Sequence, residues 1–302
     1  MKRLLYTLVS LLLLSCMIIG MGQLAYADSM TPLAENLELS TYKNVSVGGK
    51  LSAYDPDGEA LKFIISTPPI KGTVELEEDG SFVYTPGEGK RGRDYFGYKV
   101  SDAEGNISQE ATVIIRIEKQ KKDVMYSDMQ GSADEYTAIL LSEKDIFTGE
   151  QIGKDYCFNP EKAVSRGEFL SICMLMLDNE RQAVLNTGYS DDYHIPAWMK
   201  PYAVSAAMSG VYLGTESEVG PVFRHDEAIS MSEAILMLDR ALNTTKVSYL
   251  ALDESVPEVL TQACVNLAAC GVLEESSISP DMLTRADMAR MITSALSVIE
   301  NR

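Results

Sequence analysis

The second half of the sequence repeats one local pattern three times, and this repetition restricts the possible folds more than any other feature. In each copy a Ser or Thr stands three residues before an acidic residue, and a run of apolar residues follows. This is the pattern of a capping box, in which the hydroxyl accepts from a backbone amide and the acid reaches back to the N-cap amide. The three pairs are Ser165 and Glu168, Ser230 and Glu233, and Thr284 and Asp287.

The residues after each cap predict amphipathic helices. Apolar side chains recur there at intervals of three and four, which is the spacing of a helix face that packs into a core. Because capping explains the acidic residues, we do not take them as candidate catalysts. A unit repeated at this period buries its apolar face only against its neighbours. The sequence therefore predicts an all-α half built from three motifs, at residues 124–180, 187–244 and 248–302.

The first half of the chain has a different period. Residues 28–118 alternate between apolar and polar positions, and Gly, Pro and Asp interrupt the alternation. Val74-Glu75-Leu76 and Phe82-Val83-Tyr84 flank an Asp-Gly turn signal, which predicts a β-hairpin. About seven such short strands predict an antiparallel β-sandwich. The charged segment at residues 119–123 coincides with the change of period and predicts a linker between two domains.

The N-terminus has the features of an export signal. Met1-Lys2-Arg3 is basic, the stretch from Leu4 to Gly22 is uncharged and apolar, and Ala25-Tyr26-Ala27 matches a cleavage site. An uncleaved membrane anchor is the alternative, since the apolar stretch is at the short limit for spanning a bilayer. We expect residues 1–27 to be a signal peptide and the mature chain to have no transmembrane segment.

Charge and composition exclude several functions. The chain has 26 Lys and Arg residues against 44 Asp and Glu residues, a net charge of −18. Binding of nucleic acid needs a basic surface, so we expect no nucleic-acid partner. With only 2 His residues and no recognisable set of nucleophile, base and orienting group, the chain is not predicted to be an enzyme. Export permits disulfides, but helical spacing favours buried thiols at Cys173 and Cys264 and leaves Cys157 and Cys270 open.

The β-half resembles the bacterial Ig-like or cadherin-like domains of surface proteins. The matching segments include Asp55-Pro56-Asp57-Gly58, Asp79-Gly80-Ser81-Phe82 and Gly92-Arg93-Asp94-Tyr95. The resemblance implies a spacer or adhesion module, with a protein or another surface ligand as its partner. Asp55, Asp57 and Glu59 are alternative Ca²⁺ ligands, because calcium prefers clustered oxygens. The sequence favours a simple turn here and no cofactor, since no full calcium loop follows.

The helical half resembles the S-layer homology (SLH) motifs, which occur in threes and contain a Thr-Arg-Ala-Glu-like tetrapeptide. The corresponding segments are Thr284-Arg285-Ala286-Asp287, Ser165-Arg166-Gly167-Glu168 and Ser230-Met231-Ser232-Glu233. The opening of the second motif, Tyr189-Ser190-Asp191, is the best preserved. The resemblance implies a pseudo-threefold helical fold with grooves between its lobes. It also implies non-covalent attachment to secondary polysaccharides of the Gram-positive cell wall, often those bearing pyruvate ketals.

The resemblance also suggests polysaccharide-binding residues. Arg166 and Arg285 each follow a helix cap, where a guanidinium and free backbone amides suit a ketal carboxylate. The alternative for both is a surface ion pair with a neighbouring acid. Trp198 either stacks on a sugar or belongs to the core. Met231 stands where the other two motifs have Arg. The groove of the second motif is therefore predicted not to bind the polysaccharide, unless Arg224 reaches the same pocket and replaces the missing arginine.

Taken as a sequence, the chain is therefore predicted to be a secreted protein of the cell wall or S-layer of a Gram-positive-type bacterium. Its SLH motifs would bind secondary cell-wall polysaccharide and its Ig-like domain would be displayed as a spacer or adhesion module. The alternative, from a different functional class, is a degenerate SLH scaffold that binds a protein partner at the cell surface in place of glycan.

Overall fold

The computed structural model describes residues 30–177, 183–248, 257–273 and 281–301. The predicted signal peptide lies outside these residues, as do parts of the first and third predicted motifs. The described chain consists of a β-rich half followed by a helical half, in the order that the change of sequence period predicts. Every helix among the described residues is too short or too polar to span a lipid bilayer.

The β-rich half is consistent with an Ig-like sandwich of two sheets. The strands are β1 (Leu33–Ala34), β2 (Leu37–Tyr42), β3 (Val47–Lys50), β4 (Ala53–Tyr54), β5 (Lys62–Thr67), β6 (Gly72–Leu76), β7 (Ser81–Pro86), β8 (Gly92–Ser101) and β9 (Ala111–Glu118). One sheet has four strands in the order β2-β9-β8-β5, and the other has three in the order β3-β7-β6. β2 runs parallel to β9, and the other pairs are antiparallel.

Alternating side chains from both sheets fill the core of the sandwich, as the period of two requires. Phe82 of β7 meets Phe96 of β8 edge to face, with ring centroids 5.3 Å apart. β9 contributes four alternate buried residues, from Ala111 to Ile117. The predicted hairpin between β6 and β7 is confirmed, and its Gly80 has a φ of +84°, a backbone conformation that favours glycine.

The helical half contains six α-helices and one short hairpin among the described residues. The helices are α1 (Glu135–Glu143), α2 (Arg166–Met176), α3 (Lys200–Met208), α4 (Met231–Leu242), α5 (Glu258–Ala269) and α6 (Arg285–Glu300), and the hairpin strands are β10 (Glu150–Ile152) and β11 (Asp155–Cys157). The three predicted capping boxes are all confirmed. Ser165, Ser230 and Thr284 cap α2, α4 and α6, and both hydrogen bonds of each box are present.

The two halves are joined by more than the chain connection. The amide of Gly48, on edge strand β3, donates to the carbonyl of Ala133 at 2.9 Å. The Glu135 side chain, only 1% exposed, accepts from the amides of Ser46 and Gly131 at 3.0 Å each. Burial raises the pKa of Glu135, although these hydrogen bonds oppose the shift. We call this contact, formed by residues 46–48 and 131–135, the junction.

The segment predicted as a charged linker is held against α1. The amides of Lys121 and Lys122 donate to the Glu143 carboxylate at 2.9 and 2.6 Å, and the Lys122 ammonium donates to the Ser142 carbonyl. The core of the helical half also extends into the sandwich, where it includes Tyr42. Residues 119–123 therefore lie along a packed boundary.

The cysteines at positions 157, 173, 264 and 270 are free thiols. Cys173 is buried, as expected, and burial raises the pKa of its thiol. Cys264 is half-buried, while Cys270 lies at the end of α5 and is exposed. The preference for buried thiols is thus fully met at Cys173 alone among these four.

Candidate functional site

The three helix starts meet in a closed ring of backbone hydrogen bonds. The amide of Val164 donates to Leu283, the amide of Leu283 donates to Ile229, and the amide of Ile229 donates back to Val164, at 2.9 to 3.0 Å. These residues directly precede the three capping residues, and all three side chains are buried. The repeated sequence pattern therefore corresponds to three equivalent contacts around one centre.

Just outside the ring, the first amides of each helix are bonded to a loop of another motif. The amide of Arg166 donates to the Glu227 carbonyl at 2.8 Å, and that of Arg285 donates to Lys162 at 2.9 Å. The following amides, of Gly167 and Ala286, are bonded in the same way. The prediction that the amides beside the arginines are free to bind an anion is wrong. Carbonyl groups of the neighbouring motif already accept hydrogen bonds from these amides.

An aspartate holds each of two loops in place. The Asp128 carboxylate accepts from the amides of Phe158 and Asn159 at 2.9 and 2.6 Å. In the second motif, Asp191 accepts from Phe223 and Arg224 at 2.8 Å each. Each aspartate belongs to a Tyr-Ser-Asp triplet. The Tyr ring of each triplet contacts the ring of the Phe whose amide that aspartate accepts from, with ring centroids 5.3 Å apart in the first motif and 5.4 Å apart in the second. Sequence reasoning used these triplets as markers of the motif and missed this role.

Arg285 lies in the contact between the third motif and the first. Its side chain is 4% exposed and donates to the Phe158 carbonyl and the Glu150 carboxylate at 3.0 Å each. The guanidinium carbon lies 5.1 Å from the centre of the Phe147 ring, a distance typical of a cation–π contact. Hydrogen bonds from Lys162 and Arg285 keep the pKa of Glu150 below its ordinary value, so this acid is ionised at neutral pH.

Arg166 has the same position between the first motif and the second. Its side chain is 7% exposed. It donates to the Arg224 carbonyl at 2.8 Å and to the Glu233 carboxylate at 3.2 Å. The Glu227 carboxylate lies 3.4 Å away. Both predicted arginines thus have internal acceptors and are far less exposed than a surface ion pair would be.

Met231 is the third member of the set, and its surroundings are different. It lines a cleft of 1360 Å³ whose walls come from both halves of the chain. The lining includes Leu273 and Met282 of the third motif, and Phe63 and Lys50 of the sandwich. Arg224 was an alternative cation for this pocket. Its carbonyl and side chain instead contact Arg166 and Glu227, which belong to the site between the first two motifs.

Trp198 is on the surface, so the alternative that placed it in the core was wrong. Its side chain is 58% exposed, and its ring meets that of Tyr202 edge to face with centroids 6.3 Å apart. The segment that carries it, residues 192–200, is held by an ion pair of 2.6 Å between Asp192 and Lys200. Hydrogen bonds from Lys200 and from Thr187 lower the pKa of Asp192 to about 2. The indole is therefore presented from a segment fixed by a persistent ion pair.

The candidate calcium ligands are arranged differently from the prediction. Carboxylate oxygens of Asp55, Glu59 and Asp102 lie within 4.8 Å of one another. Asp57 is not part of this group, and its carboxylate accepts from the amide of Met30. Asp55 accepts from the amides at positions 57 and 59, which is the pattern of an Asx turn. Asp102 likewise accepts from Asn106 within its own turn.

A comparison with known protein families finds a match in the β-rich half. Residues 30–119 match the family model of the bacterial cadherin-like domain, as the resemblance predicted, and this match suggests a role at the cell surface. The match does not extend into the helical half, where the SLH resemblance stays a prediction. No curated protein matches the chain.

Several solved structures are similar to part of this chain at low identity. An endo-fucoidan hydrolase of glycoside hydrolase family 107 is 17% identical over 31% of this chain and 14% of its own, with a TM-score of 0.26. The SrpA adhesin from Streptococcus sanguinis is 15% identical over 38% of this chain and 76% of its own, with a TM-score of 0.25. A SusE-like surface polysaccharide-binding protein from Bacteroides thetaiotaomicron is 12% identical over 32% and 16%, with a TM-score of 0.22. The chain spans less than a fifth of the first of these structures, and likenesses at this level carry no argument about activity.

Proposed function

We propose that this chain is an exported, non-catalytic protein of the Gram-positive cell surface. Its helical half is a pseudo-threefold SLH module that binds secondary cell-wall polysaccharide and thereby displays the cadherin-like sandwich. The observation that carries the proposal is the closed ring of hydrogen bonds among Val164, Ile229 and Leu283. A ring of equivalent contacts is what three copies of one motif make when they pack around a common axis.

The proposed ligand is an acidic polysaccharide, such as one bearing pyruvate ketals. Arg166 and Arg285 each bring a guanidinium to a groove between two motifs, and a guanidinium suits a carboxylate through paired hydrogen bonds. Both already donate to carbonyls and carboxylates of the chain. A ligand carboxylate therefore competes with Glu227, Glu233 or Glu150, and binding at each groove is of modest strength.

Trp198 supports the proposal independently of charge. An exposed indole stacks on the apolar face of a sugar, and such a contact does not depend on an acidic group. The net charge of −18 repels an anionic polymer at long range, but physiological salt screens this repulsion beyond about 8 Å. Short-range contacts at the grooves and at Trp198 then decide the affinity.

The test is sedimentation of the full chain with purified sacculi, before and after their secondary polysaccharide is removed. We expect the chain to sediment with intact sacculi and to stay in solution once the polysaccharide is gone. Sedimentation that survives removal of the polysaccharide would contradict the proposed ligand.

Replacing Trp198 by alanine is expected to weaken this binding without lowering the melting temperature. An aromatic contact of this kind contributes about 0.5–1.5 kcal/mol, which corresponds to a loss of roughly twofold to thirteenfold in affinity. The matched control is Tyr95→Ala, which removes an aromatic ring of similar exposure from the sandwich. Equal binding by the two variants would exclude Trp198 from the ligand site.

A second candidate function is a degenerate SLH scaffold that binds a protein partner. The cleft at Met231 favours it, because Met231 stands where the other two motifs have Arg, and apolar side chains from both halves, among them Phe63 and Leu273, form part of its lining. The two candidates differ in one measurement. A scaffold for protein alone would remain in solution with intact sacculi.

We also propose that the acidic cluster in the sandwich stabilises turns and does not bind calcium. The carboxylates of Asp55 and Asp102 already accept hydrogen bonds from their own loops. Millimolar calcium is therefore expected to shift the melting temperature no more than magnesium does, because a ligand stabilises only the state that binds it. A calcium-specific rise that Asp102→Asn abolishes would contradict this expectation.

A further inference from the structure

Arg224 holds a backbone conformation that arginine rarely adopts. Its φ is +52°, in the left-handed region that favours Gly, Asn and Asp. The corresponding residue of the first motif is Asn159, with a φ of +54°. In both motifs an aspartate carboxylate accepts from the amide of this residue and from that of the preceding Phe. The second motif therefore has an arginine where the same loop is built more easily with asparagine, and strain of this kind is found at functional positions.

The guanidinium of Arg224 is accessible, in contrast to that of Arg166. Its side chain is 48% exposed, while Arg166 is almost completely buried. The Glu227 carboxylate, itself 52% exposed, lies 3.4 Å from the Arg166 guanidinium and 3.9 Å from that of Arg224. An exposed carboxylate is thus already attracted to the space between the two cations. A ligand carboxylate would occupy the same space after Glu227 turns toward solvent.

The start of α2 and the Trp198 segment also lie beside the loop that carries Arg224. The amide of Gly167 donates to the His225 carbonyl at 2.8 Å. A β-carbon at Gly167 would lie 2.6 Å from the Met199 sulfur, so Met199 packs directly on this glycine. Trp198 precedes Met199 in the chain. The loop that carries Arg224 and the segment that carries the exposed indole therefore both border the first turn of α2.

We infer that the carboxylate of an acidic sugar binds between Arg224 and Arg166, and that Arg224 supplies the accessible guanidinium. Arg166 holds the loop by donating to the carbonyl of Arg224 itself, and the ligand carboxylate takes the place of Glu227. The inference rests on the proposed attachment to wall polysaccharide. In the corresponding site the loop residue is Asn159, and the exposed cation is Lys162, which pairs with Glu150 at 2.6 Å.

The experiment compares three variants of the full chain for binding to sacculi that carry a pyruvylated polysaccharide. Arg224→Asn keeps a residue suited to the left-handed region, so the fold is retained, and binding is expected to weaken roughly tenfold or more. Glu227→Gln removes the competing carboxylate and is expected to tighten binding. Arg240→Gln is the matched control, because it removes one exposed positive charge from α4. Both effects are expected to vanish on sacculi whose ketals have been removed with mild acid.

The outcomes separate this inference from the proposed function. If the wild-type chain sediments and Arg224→Asn sediments equally well, Arg224 is not the contact, although wall binding stands. Equal losses in Arg224→Asn and Arg240→Gln would also overturn the inference, because they would indicate a general effect of charge. A wild-type chain that remains in solution overturns the inference together with the proposed function.

Discussion

Arg285→Ala is expected to lower the free energy of unfolding of the helical half by about 3 kcal/mol. The substitution removes a buried cation and leaves the Phe158 carbonyl without its donor. It also removes the cation that lies over the Phe147 ring. Glu150 then loses its ion pair with Arg285 and keeps the one with Lys162. Because Arg285 joins the third motif to the first, the loss should affect the whole helical half in urea unfolding.

The control for Arg285 is Arg290, one turn further along the same helix. Arg290 is half exposed and pairs with Asp134 and Asp287. Because Arg290 is half exposed while Arg285 is 4% exposed, water screens the Arg290 pairs more strongly, and Arg290→Ala should cost less than Arg285→Ala. Similar unfolding free energies for the two variants would show that Arg285 does not hold the motifs together. The comparison also matters for binding, because a destabilised Arg285 variant would lose sacculus binding without being a ligand contact.

Gly48→Val is expected to weaken the junction by about 1–3 kcal/mol. A β-carbon at Gly48 would lie 2.7 Å from the β-carbon of Ala133 and 3.0 Å from its carbonyl oxygen. Neither atom belongs to a flexible side chain, so relief requires the two halves to separate. The Gly48–Ala133 hydrogen bond would then be lost, and the amides of Ser46 and Gly131 should exchange with solvent faster.

The matched control is Lys50→Val, on the same strand and the same face as Gly48 but exposed. Valine suits an exposed strand position, so this variant should leave amide exchange at the junction unchanged. Calorimetry gives a second measure. If Gly48→Val melts with the same profile and midpoint as Lys50→Val, the two halves do not depend on close contact at this position.

The elements that local sequence determines were predictable. A capping box involves residues three apart, so Ser165, Ser230 and Thr284 could be identified as helix starts from the chain alone. The alternation that placed Phe82 and Tyr84 inside the sandwich is equally local. The match of residues 30–119 to the cadherin-like family agrees with that interpretation.

What the sequence could not predict depends on residues distant in the chain. The acceptors of the Arg166 guanidinium lie 57 to 67 residues away, so its burial follows from packing between motifs. The same reason explains why Asp102 joins Asp55 and Glu59 while Asp57 does not. Trp198 lies in the turn before α3, so its exposure depends on how that turn packs, and the ion pair that anchors its segment is formed only in the folded protein.

The junction also has a consequence for how the protein avoids self-association. An edge strand offers unpaired amides and carbonyls, on which a second molecule can add a strand and begin to aggregate. In this protein the amide of Gly48 on β3 donates to the carbonyl of Ala133, and α1 begins at Glu135, two residues after Ala133. The sandwich precedes α1 in the chain, so β3 is synthesised before the segment that covers it. The helical half therefore occupies this edge at Gly48, where a second molecule could otherwise add a strand.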